Sequence, residues 1–186
     1  DGLVRACDLA VARRDVDGAV RAAIELGRHR DYMPSRAYRP LPALADAAEL
    51  GLSGVVEPAE LALLHAALAR EASATRDHDR VAHHAAQAVA AAETSGDDEA
   101  LASAALVERL ALAHEPERID EWIDCSNRAE RHAARVVDDS LRRRVLAARA
   151  IDAVTTGDLG LLGNLNADPN VKPGPNAYVA RRQFES

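Results

Sequence analysis

Aromatic side chains are nearly missing from this 186-residue chain, which has one Trp, one Phe and three Tyr, 3% of its residues against 48% hydrophobic overall. That scarcity excludes a core built around bulky rings, and because strand-forming residues cluster nowhere it leaves no material for a sheet. Cysteine is scarce too. Cys7 and Cys125 lie far apart, with no CxxC and no signal peptide. This excludes a disulfide framework and points to a reducing cytoplasm with free thiols on or beside apolar helix faces. Lysine occurs once, at Lys172, so arginine carries nearly all the positive charge, a bias that a GC-rich genome accounts for. Basic charge is also in deficit: the formal net charge is −7 and the pI about 5.5. A chain of that balance does not grip a nucleic-acid backbone unaided. No apolar run approaches a membrane span. The first residue is Asp1 where a start would carry Met, so the sequence is expected to be a piece of something larger.

What the chain does have is alanine and leucine at helical spacing. The stretch that organises the rest is 97–137. Gly96 ends the preceding segment, and Asp97, Asp98 and Glu99 place carboxylates where a new helix exposes its free N–H groups. Leu101, Ala105 and Leu112 then share one side, while Ala102, Leu106, Leu110 and Ala113 share another. A helix apolar on more than one side packs between neighbours. Pro116 breaks it. In the helix that follows, Ile119, Trp122, Ile123, Ser126, Ala129, Ala133, Val136 and Val137 form one stripe opposite a charged face. Stacking of this hairpin on its neighbours is expected to bury Leu101, Leu106, Leu110, Leu112, Trp122 and Ile123.

The same grammar recurs. Helices are expected over 3–14 and over 15–27 with Gly27 as stop, over 41–50 ended by Gly51, over 58–74 with Pro58 in the first turn, from Asp77 to a stop at Gly96, and from Asp138 and Asp139 through Thr156. A short helix from Leu159 to Leu165 and a loop over 166–176 follow. Ala177 to Phe184 opens one more. First helices begin at Pro58, Asp97 and Asp139, second helices at Arg80, Arg118 and Leu159, so both series advance by about 40 residues, a helical-hairpin period. The expected architecture is all-α, a tetratricopeptide-like solenoid in one helical-repeat domain over 1–186. Within it, 1–57 holds N-terminal helices and an irregular loop, 58–165 regular hairpin repeats, and 166–186 a loop and the start of a truncated helix.

The run from Leu61 to Asp158 contains LALLHAALAREA, then AAETSGDDEALASAALVERLALAHEPERIDEWI, then LRRRVLAARAIDAVTTGDL. It resembles the tetratricopeptide-like helical region of large actinobacterial signal-transduction ATPases: the multidomain LuxR-type transcriptional regulators, relatives of the antibiotic regulatory proteins, and the cyclase-ATPase fusions. The family pattern is matched by Gly96-Asp97, the Leu101–Leu112 helix, Pro116 to Glu121, and Gly157-Asp158-Leu159. The resemblance covers a little over half the chain well and its N-terminal part loosely, and the chain departs from the family after Gly157. It implies a segment lying between an ATPase module and a DNA-binding helix-turn-helix, sensing or relaying a signal or holding partners. Neither module is present: the chain has no GxxxxGK and no basic recognition helix.

No catalytic constellation stands out. His83 and His84 are adjacent and diverge by about a hundred degrees on a helix. His65 and His84 flank apolar stripes and could meet if their helices pair, but no third or fourth ligand is fixed, so a structural role is preferred to a metal site. Glu121, Asp124 and Cys125 look like an acid and thiol cluster, yet the two acids lie on the polar side and Asp124 is better explained by pairing with Arg128. The serines lack a GxSxG setting and the glycines form no phosphate cradle. In 28–42 arginine and tyrosine interleave. That segment reads either as an anion or partner contact through Arg36, Tyr32, Tyr38 and their neighbouring arginines, or, preferably, as a connecting loop.

The expected function is therefore a non-catalytic interaction or signal-relay platform of a cytoplasmic regulator, without cofactor or metal, holding a protein partner or other domains of the same polypeptide. Candidate contacts are Glu108, Arg109, Arg142 and Arg149 on the first helices, with Tyr32, Arg36 and Tyr38. The alternative is a small-molecule effector domain with a pocket between helices near His65, His84 and Trp122. A helical enzyme would need three of the histidines and carboxylates brought together.

Overall fold

The structure, a computed structural model, describes residues 2–30, 41–158, 160, 161 and 163. Every regular element among them is helical: α1 (Gly2–Arg13), α2 (Val16–Arg30), α3 (Pro42–Leu52), α4 (Pro58–Ala74), α5 (His78–Ser95), α6 (Asp98–Leu112), α7 (Ile119–Ala133) and α8 (Asp139–Thr156), with one 3₁₀ turn at Pro116–Arg118. None of these helices is long and apolar enough to cross a membrane.

Local chemistry sets most of the boundaries. The Asp97 carboxylate accepts from Ala100 N–H at 2.9 Å, Asp77 from Arg80 N–H at 3.1 Å and Asp138 from Ser140 N–H at 2.8 Å, each satisfying a donor that the first turn leaves free. Gly96 (φ 65°) and Gly157 (φ 73°) close α5 and α8 in the left-handed region. Two glycines behave otherwise. Gly27 and Gly51, expected as stops, lie inside α2 and α3. A Cβ on Gly51 would stand 3.0 Å from Val20 Cγ2 and 3.2 Å from Leu64 Cδ1, and one on Gly27 3.5 Å from Ala67 Cβ, so both glycines allow helices to approach closely. The expected helix over 159–165 and everything after it lie almost wholly outside the described residues.

Packing follows a regular order. Each helix packs on the next; in addition α1 touches α3, and α2, α4, α6 and α8 touch in series, with α2 also meeting α8. The core divides accordingly into three overlapping clusters. One joins α1, α2 and α3 to Leu64, Ala67 and Leu68 of α4. The second joins Ala62, Ala66 and Ala69, on another side of α4, to α5 and α6. The third joins Ala102 and Ala105 of α6 to Ala129, Ala133, Leu141 and Val145. α6 is thus packed on several sides, as its scattered apolar residues predict.

Which residues fill the seams differs from expectation. Leu112 is buried, but Leu101, Leu106, Leu110, Trp122 and Ile123 are only half-buried, while Ala100, Ala102, Ala104 and Ala105 are buried. Close approach puts the smallest side chains between helix axes and pushes the leucines to the flanks. Val137 is not on the α7 stripe at all. The helix ends at Ala133, and Val137 projects fully exposed from the corner before α8.

Candidate functional site

Three polar arrangements interrupt this alanine-rich packing. The first is buried between α6, α7 and α8. Arg109 donates to Asp152 Oδ1 from Nη2 at 2.7 Å and from Nε at 3.2 Å, and to the carbonyl of Ala148 at 3.3 Å. Its guanidinium lies 4.2 Å over the Trp122 ring. Arg149 Nη1 approaches the other Asp152 oxygen at 3.6 Å, and Arg149 Nε faces Glu130 at 3.3 Å. With side-chain exposures of 9% and 2%, Arg109 and Asp152 form a desolvated pair that holds two helices together.

Nearby, Arg128 donates to Glu108 at 2.6 Å and contacts Cys125 Sγ at 3.1 Å. The Asp124–Arg128 pair expected from helical spacing is thereby replaced by a pair across helices. Glu121 is held by Arg118 through contacts at 2.9 and 2.7 Å, which draw its pKa below the ordinary carboxylate range. Burial is the largest influence on Cys125 and raises its pKa. An inert thiol beside a structural ion pair results.

The second arrangement joins α4 to α5. His65 Nδ1 and His84 Nδ1 stand 3.1 Å apart, with ring centroids at 5.3 Å, so the two imidazoles do meet. One nitrogen must donate and the other accept. Burial lowers both pKa values, His84 to about 4 with help from His65, His83 and Arg80, and His65 with help from His83. Both rings are therefore neutral at pH 7. Among the described residues no group of three or more His, Cys, Asp or Glu side chains is gathered where it could hold a metal ion.

The third is a crevice of about 710 Å³ where the C-terminal end of α2 meets the first turns of α6 and α8, lined by Arg28, Glu99, Val136, Val137, Asp138 and Ser140 among others. Arg28 donates from Nε and Nη2 to the two oxygens of Glu99, each at 2.7 Å, across a separation of 71 residues. Those bonds raise the Arg28 pKa further. His132 and Arg135 converge on Asp98, at 2.7 and 3.2 Å, and draw its pKa down.

Compared with protein-family models, with curated proteins and with solved structures, the chain matches none.

Of the residues singled out from sequence, His65 and His84 come together. Arg109, Trp122 and Arg149 come together as well, around Asp152. Glu108 pairs with Arg128 at the margin of that group, and Arg142 is exposed on α8. Tyr32, Arg36 and Tyr38 lie outside the described residues. The crevice is not lined by His65, His84 or Trp122. Sequence reasoning passed over Asp152, Arg28 with Glu99, and His132 with Asp98. Asp152 carried a usable signal: it is the one acid of α8 beyond its first residue, 43 residues from the one arginine of α6, close to the hairpin period.

Proposed function

We propose that the chain is a non-catalytic, tetratricopeptide-like helical-repeat segment of a cytoplasmic transcriptional or signalling regulator, a platform for a protein partner or for other domains of its own polypeptide. The observation that carries this reading is the contact order. Neighbouring helices pack in sequence, while α2, α4, α6 and α8 touch in series, and the two ends of that series, α2 and α8, also meet. Stacked hairpins propagate contacts in this way. The resemblance of 61–158 to the helical region of LuxR-type regulators supports the same reading. Arg142, exposed on α8, and Glu108, on α6 and paired with Arg128, are the contact residues of first choice, with Tyr32, Arg36 and Tyr38 added on sequence grounds.

Charge reversal of Arg142, exposed on α8, in the native gene tests this. Loss of regulated transcripts, with unchanged helicity and melting of the purified variant chain, supports a platform. An unaltered transcript profile removes it.

A second reading, a small-molecule effector domain, draws on the crevice. Its walls come from segments far apart in sequence, so an occupant would tie α2 to α6 and α8. A compound that raises the melting temperature of the chain but not of a Ser140→Trp variant supports this reading. A compound that raises both equally binds elsewhere.

A further inference from the structure

His65 and His84 project from two helices whose buried seam is mainly alanine against alanine, and they face each other through the same ring nitrogen, Nδ1. Among the described residues, the hydrogen bond between them is the only one either ring makes. No acceptor among the described residues therefore fixes a proton on either Nε2. Both rings are half-buried, leaving one side of the pair open to solvent.

The spacing of the two nitrogens is also that of a chelate. Two imidazole nitrogens bound at about 2.0–2.1 Å to one ion stand roughly 2.9 Å apart at a right angle and roughly 3.3 Å apart at the tetrahedral angle. The observed 3.1 Å falls between. In the hydrogen-bonded pair one ring carries its proton on Nδ1. Moving that proton to the same ring's Nε2, through solvent, leaves two Nδ1 lone pairs and no net change in protonation. Neutral imidazole is the ligand that late transition-metal ions favour.

We propose that His65 and His84 form a two-imidazole site for a divalent transition-metal ion of the zinc and copper type, which staples α4 to α5. Solvent completes the coordination, because no third His, Cys, Asp or Glu side chain among the described residues joins the pair. His83, whose ring packs against His84 at 5.1 Å, is a neighbour and not a ligand. The site binds more weakly than a closed four-ligand centre, and among the described residues no carboxylate hydrogen-bonds its rings from behind. Occupancy ties the hairpin at mid-length.

Zinc ion titrated into the full chain, followed by long-range proton–nitrogen spectra of the imidazoles and by thermal melting, tests this. The His65 and His84 Nδ1 resonances are expected to shift together and saturate at one ion per chain, and the melting temperature to rise. The rise should vanish in His65→Ala and in His84→Ala and persist in His83→Ala and in the double variant H78A/H114A, whose rings pair elsewhere at 3.8 Å. Shifts confined to His78 and His114, a rise that survives loss of His65 or His84, or no shift at millimolar zinc each overturns the proposal. The spectra come from the unaltered chain, so a variant that fails to fold does not leave the question open.

Discussion

Arg109 and Asp152 form a buried ion pair at 2.7 Å between α6 and α8, roofed by the Trp122 ring. Removing one partner strands the other charge in a desolvated site. Asp152→Ala is expected to cost about 3–5 kcal/mol in urea unfolding, whereas the double variant R109M/D152L, which removes both charges, should recover most of that loss. A D152A chain as stable as the parent contradicts this.

Stability should fall as the solution is acidified through the range in which free histidine titrates. His84 has its pKa lowered to about 4 in the folded chain, and His65 is lowered too. Between pH 6.5 and about 4 the unfolded chain thus binds more protons than the folded one. The contribution of the pair is complete above pH 6.5 and is lost as pH drops through that window. Because the His84 ring is half exposed, the loss is on the order of 1 kcal/mol, below the full conversion of the shift. His84→Gln should flatten the pH 4–6.5 part of the stability curve.

At the end of α5 the glycine is needed for its backbone angle alone. Gly96 has φ 65°, and an added Cβ there would meet nothing within 4 Å. Gly96→Ala should therefore destabilise by about 1 kcal/mol, with Gly96→Asn costing less. Equal melting temperatures for the alanine variant and the parent would argue against the left-handed cap.

Leu141 is fully buried in the cluster that joins α6, α7 and α8. Truncation to alanine should cost about 2–5 kcal/mol. The same change at Leu101, a half-buried flank of α6, should cost clearly less. Denaturant midpoints at unchanged slope give both values.

The hairpin 97–137, excised, should show little helicity by circular dichroism. α6 buries surface on α4, α5 and α8 as well as on α7, and only the last partner remains in the fragment. A cooperative melt of the isolated piece would overturn this account of its stability.

Legibility followed the range of the interaction. Asp77, Asp97 and Asp138 cap, Pro58 starts α4, and Gly96 and Gly157 stop their helices through contacts within a turn, so adjacent residues sufficed to place them. Gly27 and Gly51 carry the same letter but meet Ala67 and Val20 from other helices, and no local pattern separates that use from a cap. The meeting of His65 with His84 could be anticipated because α4 and α5 are joined by a short turn. Arg28 with Glu99, 71 residues apart, could not.

By itself, then, the sequence determined an all-α chain, the position of most helix ends, and the reliance on alanine for close packing. These depend on backbone propensity, caps and composition, all properties of short segments. Only the tertiary structure decided which side chains fill the seams, that Arg109 and Arg149 turn inward to Asp152, that Val137 projects from a corner, and that a crevice opens between α2, α6 and α8. Each of these turns on how one helix lies against another, and close-packed axes leave room for a methyl group where a leucine or a charge must go elsewhere.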